Sequence, residues 1–127
     1  MKKCRRFRLT RLTAPVAAFA LLLGFLLPGL ATAATEAERL AQGKALAFDR
    51  NAGNCLSCHV IVGGELPGNI GPPLMQMRLR FPDREVLRAQ IWDAGVRNPQ
   101  TLMPPYGRHS VISEEQIDLV VDFIHTL

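Results

Sequence analysis

The stretch Cys55-Leu56-Ser57-Cys58-His59 places two thiols three positions apart and an imidazole directly after the second. Cys-x-x-Cys-His is the attachment signature of c-type haem. Each thiol adds across one vinyl group of the porphyrin, and the two intervening residues set the sulfurs at about the separation of those vinyls. His59 is then carried beneath the iron as its proximal ligand. The motif predicts one covalent haem c, attached through Cys55 and Cys58 and ligated by His59.

Two other uses of a Cys-x-x-Cys pair fit the chain less well. A zinc site needs four ligands, and only His109 and His125 remain, neither of them beside a further cysteine. A thioredoxin-like motif needs a βαβ setting, which no alternating segment of this chain indicates. An interaction module without haem, stabilised by zinc or a disulfide, remains a hypothesis, and it predicts a colourless protein.

The first 33 residues have the pattern of an export signal. A basic stretch is followed by an apolar run from Val16 to Leu27, and Ala31-Thr32-Ala33 offers the small-x-small pattern of a cleavage site. This run is shorter than the roughly twenty residues that span a bilayer. We therefore expect a cleaved signal peptide over 1–33, a cytochrome c domain over 34–127, and a periplasmic protein without a stable membrane anchor.

Charge is distributed unevenly along the chain. Six of the fifteen basic residues lie within the first eleven positions, and no acidic residue precedes Glu36. From residue 34 onward there are nine Arg and Lys against eleven Asp and Glu, a net charge of −2. Because the basic character belongs to the signal, nucleic acid is not an expected partner.

Three helical stretches predict an all-α fold. The first runs from about Glu36 to Arg50, with apolar residues on one face. The second runs from the N-cap Asp83 to Ala94, and Gly95 stands where a C-terminal glycine is expected. The third begins at Ser113 and Gln116, which form a capping-box pattern.

The third helix carries an apolar stripe at helical spacing, consisting of Ile117, Val120, Val121 and Ile124. Asp118 and Asp122 are expected on its opposite, solvated face. The segments 60–82 and 96–112 are long loops that contain several prolines. Long loops in so small a domain suggest that a haem, rather than side chains alone, fills the centre.

The sixth ligand of the iron has five candidates, which are Met75, Met77, Met103, His109 and His125. An iron without a sixth ligand is the remaining alternative. Met103 is favoured because it lies in a rigid segment between two helices, Leu102-Met103-Pro104-Pro105-Tyr106-Gly107. Such a segment loses little conformational freedom when its thioether binds iron. Met75 and Met77, beside Leu74, fit better as packing on the haem, and both histidines are expected to be exposed. Ligation by His and Met raises the potential and leaves no open axial position, which is typical of electron transfer.

Gly71-Pro72-Pro73-Leu74 follows the cysteine motif closely and is expected to support it. A stiff Pro-Pro backbone can present a carbonyl to the free ring nitrogen of His59. Such a hydrogen bond would set the tautomer and the orientation of the ring. We therefore predict that Pro72 and Leu74 belong to the haem-binding residues.

Three runs carry a resemblance to a known family. They are Pro67-Gly68-Asn69-Ile70-Gly71-Pro72-Pro73-Leu74, then Met103-Pro104-Pro105-Tyr106-Gly107-Arg108-His109, and the closing stretch 117–124. Together with the cysteine motif they resemble SoxX, the monohaem c-type cytochrome subunit of the SoxAX complex of sulfur-oxidising bacteria. The likeness extends from about Gly43 to the C-terminus.

The resemblance implies a class I cytochrome c-like fold, with three main helices around one covalent haem and with His59 and Met103 as axial ligands. It implies a periplasmic heterodimer with SoxA, whose haem site performs the chemistry of an L-cysteine S-thiosulfotransferase. Thiosulfate is joined there to a cysteine of the SoxYZ carrier protein. This chain would pass the electrons to a downstream cytochrome and would hold no catalytic residue of its own.

A free-standing periplasmic cytochrome c that shuttles electrons to an oxidase or reductase is the alternative. It shares the haem site but predicts a monomer without a stable haem-bearing partner. Such shuttles often carry lysines around the haem edge for electrostatic steering. From residue 34 onward the chain has one lysine, Lys44, which fits a dedicated partner better.

Overall fold

A computed structural model describes residues 35–127, so the predicted signal peptide over 1–33 lies outside the described residues. The described part of the chain consists of four α-helices, two single-turn 3-10 helices and connecting loops, without a β-strand. The α-helices are α1 (Glu36–Phe48), α2 (Met77–Arg80), α3 (Arg84–Trp92) and α4 (Glu114–His125). The all-α prediction is confirmed, and none of these four helices is long and apolar enough to cross a membrane.

Helix α1 begins at a capping box formed by Thr35 and Glu38. The Thr35 hydroxyl accepts the backbone N–H of Glu38 at 3.3 Å, and the Glu38 carboxylate accepts the N–H of Thr35 at 2.7 Å. These bonds satisfy two donors that the first turn of a helix leaves free. The helix ends at Phe48 rather than at the predicted Arg50, because Asp49 is extended and its carboxylate accepts a backbone N–H two residues on.

Helix α3 begins as predicted, since the Asp83 carboxylate accepts the N–H of Glu85 at 2.8 Å. It ends at Trp92, earlier than predicted, and Gly95 is not its C-terminal glycine. Asp93 leaves the helix in an extended conformation, and its carboxylate accepts the N–H of Gly95 at 2.9 Å. An aspartate that caps the next turn has therefore ended the helix in place of a glycine.

Helix α4 begins at the predicted capping box of Ser113 and Gln116. Its buried face consists of Ile117, Val120, Val121, Phe123 and Ile124. This face packs against both α1 and α3, which makes α4 the central element of the described part of the chain. The apolar stripe predicted for this helix is thus confirmed as core.

Helices α1 and α4 approach each other closely at Gly43. A Cβ atom at this position would lie 2.0 Å from the carbonyl oxygen of Leu119, so only a glycine fits the crossing. One turn further along, Phe48 and Phe123 pack edge to face, with ring centroids 6.0 Å apart. This is the preferred geometry for two aromatic rings and adds to the apolar burial.

The prediction that Asp118 and Asp122 lie on a solvated face is wrong. Asp122 accepts hydrogen bonds from Arg39 of α1 and from Arg84 of α3, the latter at 2.7 Å. Asp118 accepts from Arg84 at 3.2 Å and from Arg88 at 2.9 Å. Both carboxylates therefore stabilise the contacts of α4 with its neighbours, which spacing along one helix does not reveal.

Candidate haem site

A cavity of about 820 Å³ lies among α3, α4 and the two long loops. This volume is within the range of about 300–1,000 Å³ that is usual for cofactor sites. Most of its wall is apolar, with contributions from Leu74, Met77, Phe81, Leu87, Ile91, Ile112, Val120 and Ile124. Cys55, Cys58 and His59 line the same cavity.

The cysteine motif is a single 3-10 turn over Cys55–Ser57. Asn54 enters it in the left-handed conformation, with φ of 47°, which asparagine tolerates better than most residues. The backbone N–H groups of Cys58 and His59 both donate to the Cys55 carbonyl, at 3.2 and 2.9 Å. This tight turn holds both half-buried cysteines against the cavity, and no disulfide joins the two.

Burial changes the acidity of the Cys55 thiol. Burial raises its pKa to about 11; a backbone hydrogen bond acts in the opposite direction, and the neighbouring Cys58 adds a smaller contribution in the same direction as burial. At neutral pH this thiol is therefore protonated and weakly nucleophilic. It differs in this respect from the low-pKa thiol that a redox enzyme uses as its nucleophile.

His59 makes the hydrogen bond that the Pro-Pro run predicts. Its Nδ1 donates to the Pro72 carbonyl at 2.7 Å, because a carbonyl oxygen can only accept. Gly71 lies directly against the imidazole, and a Cβ there would be 2.4 Å from the ring carbon Cε1. The ring is thus held in one orientation, and its Nε2 remains available as a metal ligand.

Among the sixth-ligand candidates, Met103 and Met77 line the cavity. Met77 is almost fully buried, and its sulfur accepts a hydrogen bond from Arg80 at 3.4 Å. Met75 is half exposed and is not among the residues that line the cavity, so the expectation that it packs on the haem finds no support. Leu74, by contrast, does line it.

The two remaining histidines lie away from the cavity wall. His109 is exposed, as expected. The prediction that His125 is exposed as well is wrong. It is partly buried at the end of α4, where its Nε2 donates to the Phe81 carbonyl at 2.9 Å.

The loop that carries Met103 is held at several points. The Met103 N–H donates to the Thr101 hydroxyl at 3.1 Å, and the Gly107 N–H donates to the Trp92 carbonyl at 3.1 Å. The Tyr106 hydroxyl donates to the carbonyl of Gly53, two residues before the first cysteine of the motif. These bonds fasten the loop both to α3 and to the cysteine segment.

Tyr106 is a site residue that the sequence analysis did not single out. It lines the cavity, and burial raises the pKa of its hydroxyl to about 12, so it stays a donor at neutral pH. Two features of the sequence could have drawn attention to it. It is the only tyrosine of the chain, and it directly follows the Pro-Pro pair of the Met103 loop.

The residues present fit a covalent haem. Two thiols and an oriented imidazole lie on one cavity, a thioether from Met103 lines it as well, and the remaining wall is largely apolar. A porphyrin requires this combination of attachment points, axial donors and apolar contact. A bound haem would also account for so large a cavity in a small domain.

Helices packed around such a cavity, with Cys-x-x-Cys-His on its wall, define a c-type cytochrome domain. The family described as cytochrome C oxidase, cbb3-type, subunit III matches residues 38–124, which is more than half of the chain. The chain belongs to this cytochrome c family, which confirms the class I cytochrome c-like fold. The protein is thus a c-type cytochrome with covalent haem and a role in electron transfer. A comparison with curated proteins finds no match.

Proposed function

We propose that this protein carries one haem c, joined through thioether bonds to Cys55 and Cys58, with His59 and Met103 as axial ligands. The observation that carries the proposal is that His59 and Met103 line one cavity. The His59 Nδ1 donates to the Pro72 carbonyl, and the Met103 backbone N–H donates to the Thr101 hydroxyl. Pro72 orients the imidazole, and Leu74 contributes to the apolar wall. When bound, the haem supplies a reversible one-electron couple.

Electron relay is the function that this ligand set supports best. A thioether stabilises the ferrous state, which raises the reduction potential relative to ligation by two histidines. With His59 and Met103 both serving as ligands, the iron would have no coordination position left for a substrate. The surrounding apolar residues exclude water and leave little to reorganise when an electron arrives or leaves.

We further propose that the relay serves the periplasmic SoxAX complex, with SoxA as the stable partner. Two of the runs that resemble SoxX meet at the cavity, since Gly71-Pro72-Pro73-Leu74 supports the imidazole and Met103-Pro104-Pro105-Tyr106-Gly107 carries the thioether. The single lysine of the described residues, Lys44, lies over the Phe48 ring. A surface so poor in lysine fits a permanent partner better than a shuttle.

The reaction of that complex would be the L-cysteine S-thiosulfotransferase step. A new S–S bond joins thiosulfate to the thiol of the SoxYZ carrier, and the thiol proton and two electrons are released. The bond-forming site belongs to SoxA, since both cysteines of this domain serve haem attachment. This chain accepts the two electrons one at a time and passes them to a downstream cytochrome.

A free-standing periplasmic cytochrome c is the second candidate. The description of the matching family names a subunit of an oxidase, and this favours a chain that donates electrons to an oxidase or reductase. The two candidates share the haem site and differ in whether a second haem protein stays bound.

Size-exclusion chromatography with haem counting separates the two candidates. The measurement uses tagged protein purified from the periplasm of its own host. We expect co-elution at one to one with a second haem protein, and we expect the pair to couple thiosulfate to a carrier cysteine. A red monomer with one haem and no partner would establish the shuttle instead. A colourless protein would contradict both candidates.

A further inference from the structure

Asp93 is a buried charge at the end of α3. Among the described residues it is the one charged residue that is almost fully buried, with 8% of its surface exposed. Burying a carboxylate costs free energy unless hydrogen bonds or an opposite charge compensate for the lost hydration. Its Oδ1 accepts the N–H of Gly95 at 2.9 Å, and its Oδ2 lies 3.1 Å from the Nε of Arg108. Each carboxylate oxygen therefore has a partner of its own, one a backbone group and the other a guanidinium.

The ion pair joins the two ends of the Met103 loop, which comprises residues 93–108. Asp93 directly follows α3, and Arg108 lies five residues after Met103. Beside the ion pair, the Gly107 N–H donates to the carbonyl of the last residue of α3 at 3.1 Å. The loop is therefore closed at its base by a charge pair and a backbone hydrogen bond, while Met103 lines the cavity.

Short-range hydrogen bonds connect the base of this loop to Met103. The buried Ala94 follows Asp93, and its carbonyl accepts the Asn98 N–H at 3.0 Å. The Asn98 carbonyl accepts the Thr101 N–H at 3.0 Å, and the Thr101 hydroxyl accepts the Met103 N–H at 3.1 Å. Consecutive turns thus lead from Asp93 to Met103, so the position of the thioether depends on the base of the loop.

We propose that Asp93 is a positioning residue for Met103, and that its ion pair with Arg108 keeps the thioether on ferric iron. The assignment rests on the proposed ligation by Met103, and it adds to that ligation the contact that opposes loss of the ligand. Neither Asp93 nor Arg108 lines the cavity, so the pair acts through the loop rather than by contact with a haem.

The contact matters most in the ferric state. A thioether is a soft donor that stabilises ferrous iron, so its intrinsic affinity for ferric iron is lower. A ligand of low affinity stays bound when its loop holds it at a high effective concentration. Opening the loop separates Asp93 from Arg108, and this loss is added to the cost of breaking the iron–sulfur bond. Because the Arg108 side chain is 61% exposed, the pair lowers the open population by only about 2–5-fold.

The test is the affinity of the ferric holoprotein for imidazole at about pH 8, where most of the imidazole is uncharged. Imidazole replaces the thioether only when the loop opens, so loss of the weak red-end absorption reports the open population. Asp93→Asn keeps an oxygen for the Gly95 N–H and removes the charge, whereas Arg108→Gln removes the guanidinium. We expect each variant to bind imidazole about 2–5-fold more tightly than wild type. The double variant should bind it no more tightly than the stronger single variant, because both changes remove the same contact.

Three comparisons separate this role from a merely structural one. Glu65→Gln removes an exposed charge that lies off the cavity wall, and it should bind imidazole as wild type does. Arg108→Lys keeps a cation, and its imidazole affinity should fall between those of Arg108→Gln and wild type. Added salt should raise the imidazole affinity of wild type but not that of Arg108→Gln, because salt screens a partly exposed ion pair. The salt comparison still applies if Asp93→Asn fails to fold.

Imidazole affinities of Asp93→Asn and Arg108→Gln that equal that of Glu65→Gln would overturn the proposal. So would effects that multiply in the double variant, since the two residues would then act independently. A ferric wild-type protein without the red-end band would instead contradict ligation by Met103 itself. That outcome is distinct from a band that is present in wild type and equally resistant to imidazole in every variant.

Discussion

At the scale of single residues, the site depends on donors that are held before any metal is bound. The Pro72 carbonyl orients His59, and the Met103 loop is fastened by hydrogen bonds at Thr101, Tyr106 and Gly107. Ordering these groups in the fold lowers the entropic cost of ligation, because little side-chain freedom remains to be lost.

Met103→Ala should remove the sixth ligand. We expect the weak red-end sulfur-to-iron absorption of the ferric protein to disappear and the reduction potential to fall, since the thioether stabilises ferrous iron. Visible spectroscopy and a redox titration measure both effects. Met75→Ala is the control, because Met75 is half exposed and lies off the cavity wall. An unchanged spectrum in Met103→Ala would mean that another residue is the ligand.

Tyr106→Phe should loosen the Met103 loop while keeping the aromatic ring on the cavity wall. The change removes only the hydroxyl and leaves the Gly53 carbonyl without this partner, which costs about 1–3 kcal/mol of stability. We expect a lower thermal midpoint and a red-end absorption band that is lost at lower temperature than in wild type. If the band is lost at the same temperature as in wild type, the hydrogen bonds to Trp92 and Thr101 are sufficient to hold the loop.

At the scale of elements, α4 is held to α1 and α3 by packing and by an arginine–carboxylate network. Burial opposes ionisation of Asp118, but hydrogen bonds from Arg88 and Arg84 outweigh it and hold the pKa of this carboxyl below its ordinary value. The same bonds hold the pKa of the Arg88 guanidinium above its ordinary value. Because these groups are partly exposed, each contact contributes at most about 1 kcal/mol.

Asp118 should make the folded state less stable as the pH falls into the acidic range. A carboxyl whose pKa is lower in the folded state stabilises the fold above the unfolded value, near 3.8, and this contribution is lost as the pH falls through the folded pKa. Denaturant midpoints should therefore differ between wild type and Asp118→Asn near neutral pH and converge in acid. Glu65→Gln, an exposed loop variant, is the control. A difference that persists unchanged in acid would contradict the assignment.

Gly43→Ala should disturb the crossing of α1 and α4. The added methyl would lie 2.0 Å from the Leu119 carbonyl oxygen, so the helices must separate. Overpacking of this kind typically costs about 1–3 kcal/mol, which exceeds the gain in helix propensity. Gln42→Ala, an exposed change in the same helix, should leave the thermal midpoint close to wild type. If the thermal midpoint of Gly43→Ala is as high as that of Gln42→Ala, the two helices separate without a measurable loss of stability.

At the scale of the whole molecule, the cavity is the dominant feature. About 820 Å³ at the centre of so short a chain is too much for the surrounding side chains to fill, and packing density in folded proteins leaves few such voids. A haem bound in this cavity would complete the apolar core as well as supply the redox couple. Folding and cofactor attachment should be coupled.

The double variant Cys55→Ala, Cys58→Ala tests this coupling. Without thioether bonds we expect little holoprotein and a loss of helical circular dichroism, because the helices then surround an unfilled cavity. Haem staining and circular dichroism measure the two effects after expression with the haem-attachment machinery. Ser57→Ala, which keeps both thiols, should retain haem. A stable, fully helical, haem-free double variant would show that the chain folds on its own.

Local patterns in the sequence determined the fold class, the three main helices and the attachment motif, because caps, helical periodicity and the Cys-x-x-Cys-His spacing act within a few residues. They also predicted the hydrogen bond from His59 to Pro72. That the chain carries a single haem, and that His59 and Met103 are its ligands, remain predictions. Only the tertiary structure decided that Tyr106 bonds to Gly53, that Asp118 and Asp122 pair with arginines of other helices, and that His125 is partly buried. Each of these contacts joins residues more than twenty positions apart, and such pairing depends on how the helices pack rather than on any local pattern.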